Sequence, residues 1–225
     1  MIQDPAWTKL MRNLPGLDPV NGPWVAGGSA RRLYEGKDWS SGDIDIFFAN
    51  DQQRRAWQED FESAIAPPPE PSFLETISEK VTLALDTLVC KNPAPPKKKS
   101  SFWGYRTHNT GNADTYQIVM DNNHERLYKI QVIKTRYASS IMDLWSDFDF
   151  TISCFAADKN WVYWLPQAAT DVAENVLRDY SSENKRNRAL RIFKHYTYGF
   201  RVSPAMLLEA AELIKNGDFE CTQEY

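Results

Sequence analysis

The feature that most constrains this chain is a strand, a diglycine and a second strand opening on two acids: Trp24-Val25-Ala26-Gly27-Gly28-Ser29-Ala30-Arg31-Arg32, then Gly42-Asp43-Ile44-Asp45-Ile46-Phe47-Phe48. Side chains alternate faces along a strand, so Asp43 and Asp45 point the same way. Two carboxylates so placed suit Mg²⁺, which takes one or two acids plus substrate phosphates. Paired ions ~3.5–4 Å apart can clamp the attacking and leaving oxygens of a phosphoryl displacement. Gly27 and Gly28 are expected to present backbone N–H groups to phosphate at the strand-to-helix turn, with Ser29 adding a hydroxyl and Arg31 a charge.

The rest of the composition bounds the reading. With 225 residues, 42% hydrophobic and 25% charged, the chain is expected to form one medium globular domain or a domain with a small appendage. A formal net charge of −4 argues against whole-surface attraction to nucleic acid and restricts such contacts to local patches. No apolar run approaches a membrane span. The opening Met1-Ile2-Gln3-Asp4-Pro5 lacks a signal peptide's basic flank and apolar core, so a cytoplasmic location is expected. Cys90, Cys154 and Cys221, like His108, His124 and His195, are scattered without ligand spacing or a nucleophile pairing.

Periodicity predicts helices over residues 6–13, 29–33, 51–64 and 72–89 and strands over 23–26 and 43–49. It also predicts a loop at 92–101 carrying Lys97, Lys98 and Lys99, a hairpin of 115–121 with 127–135, a helix capped by Ser140, and strands at 150–156 and 161–164. From Ala168 to Asn216 the pattern is helical. The expected organisation is a mixed α/β head over 1–167 and a helical module over 168–225. That module is locally basic through Lys185, Arg186, Arg188, Arg191, Lys194 and Arg201, with Tyr196, Tyr198 and Phe200 between the charges.

Four stretches resemble the polymerase-beta-type nucleotidyltransferases, in particular bacterial poly(A) polymerases and CCA-adding enzymes. Gly27-Gly28-Ser29-Ala30-Arg31-Arg32 with Gly36 and Asp43-Ile44-Asp45 resembles the family's Gly-Gly-x-Val-Arg-Asp…Gly…Asp-x-Asp. Asp147-Phe148-Asp149-Phe150-Thr151-Ile152-Ser153 resembles Arg-Arg-Asp-Phe-Thr-Ile-Asn. Asn187-Arg188-Ala189-Leu190-Arg191 with Gly199-Phe200-Arg201-Val202-Ser203-Pro204 resembles the Glu-Asp-x-x-Arg helix and its Gly-Phe-x-x-x-Pro turn. Gln131-Val132-Ile133-Lys134-Thr135-Arg136 takes the place of Glu-Val-x-x-x-Arg, whose glutamate is the family's third acid.

The resemblance implies a polymerase-beta-like head with a mixed sheet and a helical neck. It implies a nucleoside triphosphate substrate, transfer to an RNA 3′ end, and Mg²⁺ as cofactor with Mn²⁺ as an alternative. Asp43 and Asp45 would be catalytic and metal-binding, and Gln131 would fill the third metal position. Gly27, Gly28, Ser29, Arg31, Asp149 and Arg191 would bind the nucleotide. A glutamine supplies no negative charge and no general base. Three options follow: a weakened acceptor site, an acid supplied by Asp149 or Asp121, or a single tightly held metal. Acceptors other than RNA, and a nucleotide- or RNA-binding module without chemistry, stay open.

Overall fold

The computed structural model describes residues 2–65, 102–120, 126–181 and 187–217. The expected helix 72–89, the loop 92–101, Asp121, Lys185 and Arg186 lie outside them.

Helix α1 (Pro5–Asn13) starts at Asp4, whose carboxylate accepts from the Ala6 and Trp7 amides, and buries Trp7, Leu10 and Met11. An acidic N-cap followed by proline is a strong helix start. Strand β1 (Trp24–Ala26) leads through Gly27 into helix α2 (Gly28–Tyr34) and then β2 (Asp43–Phe48). Helix α3 (Asp51–Ile65) follows. Strands β3 (Phe102–Asn109), β4 (Ala113–Met120) and β5 (Arg126–Tyr137) form a meander, and helix α4 (Ile141–Ser146) is capped by Ser140 as expected. Strands β6 (Phe155–Ala157) and β7 (Val162–Trp164) precede helices α5 (Pro166–Ala173), α6 (Arg188–Thr197) and α7 (Pro204–Lys215).

The seven strands form one sheet in the order β3-β4-β5-β2-β1-β6-β7. Among the described strands, only β2 and β5 pair in parallel. One face carries Ile44, Ile46, Tyr116, Ile118, Ile130 and Val132, all buried. Helix α3 contributes Trp57 and Phe61 to this core, with Phe61 edge-on to Tyr116 and Trp57 edge-on to Phe48. The opposite face carries Asp43 and Asp45, so the two-residue alternation of β2 separates core from chemistry.

Three expectations are corrected. Phe150–Ala156 is not a continuous strand: Phe150 makes an isolated bridge to Asp179, Thr151–Ser153 form a 3-10 turn, and only Phe155–Ala157 join the sheet. The turn is fixed by buried Asp171, which accepts from Thr151 Oγ1 at 2.6 Å and pairs with Arg178 at 3.1 Å. Residues 168–216 are not continuously helical either. After α5 the chain runs through left-handed Asn175 and bridges Val176 to Arg201 before reaching α6. Edge strand β3 was not anticipated.

Candidate active site

The diglycine, β2, the 147–153 turn and α6 surround one cleft of about 860 Å³. Its wall begins at Gly27, whose φ of +84° lies in the region that favours glycine. A Cβ built there would lie 4.0 Å from Asp45 Oδ2, so the carboxylate sits beside the turn. The chain reverses at this glycine because β1 ends against β6, with the Gly27 N–H donating to the Phe155 carbonyl at 2.9 Å. That bond corrects the expectation of an open Gly27 amide. Ser29 is corrected as well: it is fully buried, its hydroxyl has no hydrogen-bond partner among the described residues, and it is not among the residues lining the cleft.

The positive charge of the cleft comes instead from arginine. Arg31 is buried, lies 3.5 Å from Glu35 and stacks over Phe200 at 5.1 Å. Arg32 lies against the two glycine positions that bracket the site. A Cβ at Gly28 would be 3.5 Å from its guanidinium, and one at Gly42 only 2.5 Å away. Gly42 therefore admits Arg32 next to Asp43. The Nε atoms of Arg31 and Arg32 and Nδ1 of His195 are buried without hydrogen-bond partners among the described residues. Buried donors left this way are costly, and among the described residues Arg31 Nε has only the 3.5 Å ion pair with Glu35. Sequence reasoning gave His195 no role here.

Helix α6 supplies the opposite wall through Arg191, Lys194 and His195. Arg191 Nε donates to Asp149 Oδ2 at 2.5 Å, so two residues expected to bind nucleotide form an ion pair at the cleft. Burial raises the Asp149 carboxyl despite Arg191. Burial, reinforced by Arg31, Lys194 and Arg191, lowers His195 to about 3, leaving a neutral imidazole. Arg188, one turn earlier, is a different residue from the one expected. Only 1% exposed, it lies over the Phe150 ring and holds Asp179 and Glu209, so it braces the wall and presents no charge to a ligand.

The acids themselves differ. Burial pushes Asp45 up to about 7, with Asp43 the next largest cause. Asp43 is half-buried and engaged from β5: Lys129 Nζ is 3.1 Å from Oδ1, and Gln131 Nε2 donates to Oδ2 at 3.1 Å. The parallel register explains this, pairing Asp43 with Lys129 and Asp45 with Gln131. Lys129 was missed by sequence reasoning. Two same-face carboxylates beside a cationic cleft fit a divalent ion carrying a phosphate substrate. They do not fit a site built on three acids: among the described residues no group of three His, Cys, Asp or Glu side chains is arranged to hold an ion.

Two solved structures share this fold. The chain is similar to the Bacillus stearothermophilus CCA-adding enzyme in complex with CTP, at 17% identity and TM-score 0.52, over 95% of this chain and 46% of that one. It is likewise similar to the Thermotoga maritima CCA-adding enzyme complexed with tRNA, at 17% identity and TM-score 0.52, over 96% of this chain and 44% of that one. The chain thus spans less than half the length of either, and the likeness establishes the polymerase-beta-type nucleotidyltransferase fold expected from the motifs. No curated protein matches the sequence. Among the described residues no helix is long and apolar enough to cross a membrane. Residues 6–175 match a family described as Gabija anti-defense 2 (Gad2), and the chain belongs to that family.

Proposed function

We propose that this protein is a Mg²⁺-dependent nucleotidyltransferase, moving a nucleoside monophosphate from a nucleoside triphosphate to an acceptor hydroxyl with release of pyrophosphate. The observation that carries the reading is the placement of Asp45 against the Gly27 turn, with Asp43 on the same face, at the mouth of a cleft lined by Arg31, Arg32, Arg191 and Lys194. Its volume of about 860 Å³ is in the range of small-molecule sites.

In this reading Arg31, Arg32 and Lys194 bind the triphosphate, supplying the donors that Gly27 and Ser29 do not. Gly28 leaves room for the phosphates, and the Asp149–Arg191 pair orients the nucleotide. Asp43 and Asp45 hold Mg²⁺ or Mn²⁺, which when bound offsets charge on the phosphates during transfer. The acceptor oxygen forms a bond to the α-phosphorus as the bond to the bridging β-phosphate oxygen breaks. Its proton passes to solvent, since β5 offers Lys129 and Gln131 in place of a carboxylate. Residues 1–167 would form the catalytic head and 168–225 the helical module.

The tRNA complex of the Thermotoga enzyme supports an RNA 3′ end as the acceptor. The family description supports an outcome directed against Gabija defence. The test is pyrophosphate release from each of the four ribonucleoside triphosphates, labelled at the α-phosphate, with Mg²⁺ and a mixed pool of RNA, protein and small-molecule acceptors. Release coupled to label on RNA is expected. Label on protein or on a small molecule would redirect the acceptor.

A second reading is a nucleotide-binding module without transfer chemistry. It is favoured by one observation, the engagement of both Asp43 oxygens by donors from β5. Tight triphosphate binding with no pyrophosphate release would select it.

A further inference from the structure

Strand β5 meets the candidate metal-binding acids with two hydrogen-bond donors and no acid. Lys129 Nζ lies 3.1 Å from one oxygen of Asp43, and the Gln131 amide lies 3.1 Å from the other. Nearby carboxylates do not compensate. Asp149 is bound to Arg191, Glu35 to Lys37 at 2.6 Å, and Asp114 is buried with Lys134 and Gln58. By strand parity Asp114 also belongs to the opposite sheet face.

We propose that the Lys129 ammonium takes the electrostatic place of one of two cations, so that the cleft binds a nucleoside triphosphate together with a single divalent ion held by Asp43 and Asp45. The inference rests on the nucleotidyltransferase reading and specifies its ion count. The two carboxylates and the Lys129 ammonium leave a single formal negative charge among these three groups, and Arg32 and Lys194, which also act on Asp45, reduce it further. That attracts one dication beside a triphosphate and disfavours a second at close range. Lys129 is free to serve both partners: its side chain is 45% exposed, exposed ion pairs are weak, and a lysine stem is long and flexible. It can leave Asp43 when an ion arrives and turn its ammonium to the phosphates.

The test counts ions directly. Protein in excess over a non-hydrolysable nucleoside triphosphate is titrated with Mn²⁺, and free Mn²⁺ is read by electron paramagnetic resonance. Wild type should saturate at one Mn²⁺ per bound nucleotide, and Lys129→Ala combined with Gln131→Glu should saturate at two. In EDTA, wild type should still bind the nucleotide, with Lys129→Met about tenfold weaker, the equivalent of one partly exposed charge contact. A wild-type ratio of two, or equal affinities of wild type and Lys129→Met in EDTA, would overturn the inference. Nucleotide bound with two ions would leave the transferase reading standing. No nucleotide bound at any Mn²⁺ concentration would instead overturn the transferase reading, and this inference with it.

Discussion

Strands β2 and β5 lie side by side in parallel and face the same cleft, yet one presents acids and the other donors. The β2 side is built by local sequence. Gly27 makes the turn, alternation aligns Asp43 with Asp45, and both acids follow from a few adjacent residues. The β5 side is built by register, which brings Lys129 and Gln131 to acids 86 residues away in each pairing. The contrast shows that a motif can persist on one strand while its neighbour reverses the local charge.

Removing the β2 acids is the strongest way to break the comparison. Asp43→Asn with Asp45→Asn should lower nucleotidyl transfer more than about 10³-fold, the scale of a metal's contribution to stabilising phosphoryl charge, while circular dichroism stays native. Unchanged turnover in a folded double variant would remove these acids from the chemistry.

The wall opposite both strands offers a second contrast, between arginines one helical turn apart. Arg188→Ala leaves Asp179 and Glu209 without their shared cation and uncovers Phe150. It should cost about 2 kcal/mol of stability, read as a lower denaturation midpoint. Arg191→Ala should chiefly weaken triphosphate binding. If instead Arg188→Ala weakens binding with no loss of stability, the division between brace and ligand-facing residue fails.

Making β5 resemble β2 is a milder perturbation. Gln131→Glu should maintain or raise turnover, because it restores an acid opposite Asp45. A severe loss with an intact fold would show that this strand is misplaced relative to the reacting groups.

A further expected effect is on stability against pH. Asp45 ionises near 3.8 when exposed and is pushed up to about 7 in the fold. Between these values the folded chain keeps a proton that the unfolded chain has released, so this residue's contribution falls as pH rises through the window and stays low above it. In EDTA, Asp45→Asn should melt higher than wild type at pH 8 and at the same temperature near pH 3. Identical melting at pH 8 would mean that Asp45 is not strained by burial beside Asp43.

Much of the fold was legible because its signals are local. The helix over 6–13, the strand opening on Asp43 and Asp45, and the Ser140 cap all rest on signals within a few residues. Residues 150–156 do not form the expected continuous strand because Asp171, on α5, draws Thr151 into a 3-10 turn through a contact that no periodicity records. Strand β3 escaped notice because its polar alternation, with Trp103 and Tyr105 exposed, lacks the apolar rhythm of a half-buried strand. At the site, Asp43, Asp45, Gly27 and Arg31 were legible as a cluster. Ser29's burial, Arg188's enclosure and Lys129's approach to Asp43 were not, since each depends on partners from distant elements.

The most direct measurement is a crystal structure with a non-hydrolysable nucleoside triphosphate and Mg²⁺. It should place the triphosphate along Gly28, Arg31 and Arg32, with Mg²⁺ bound by Asp43 and Asp45. A triphosphate seated elsewhere, or an ion bound away from both acids, would contradict the account.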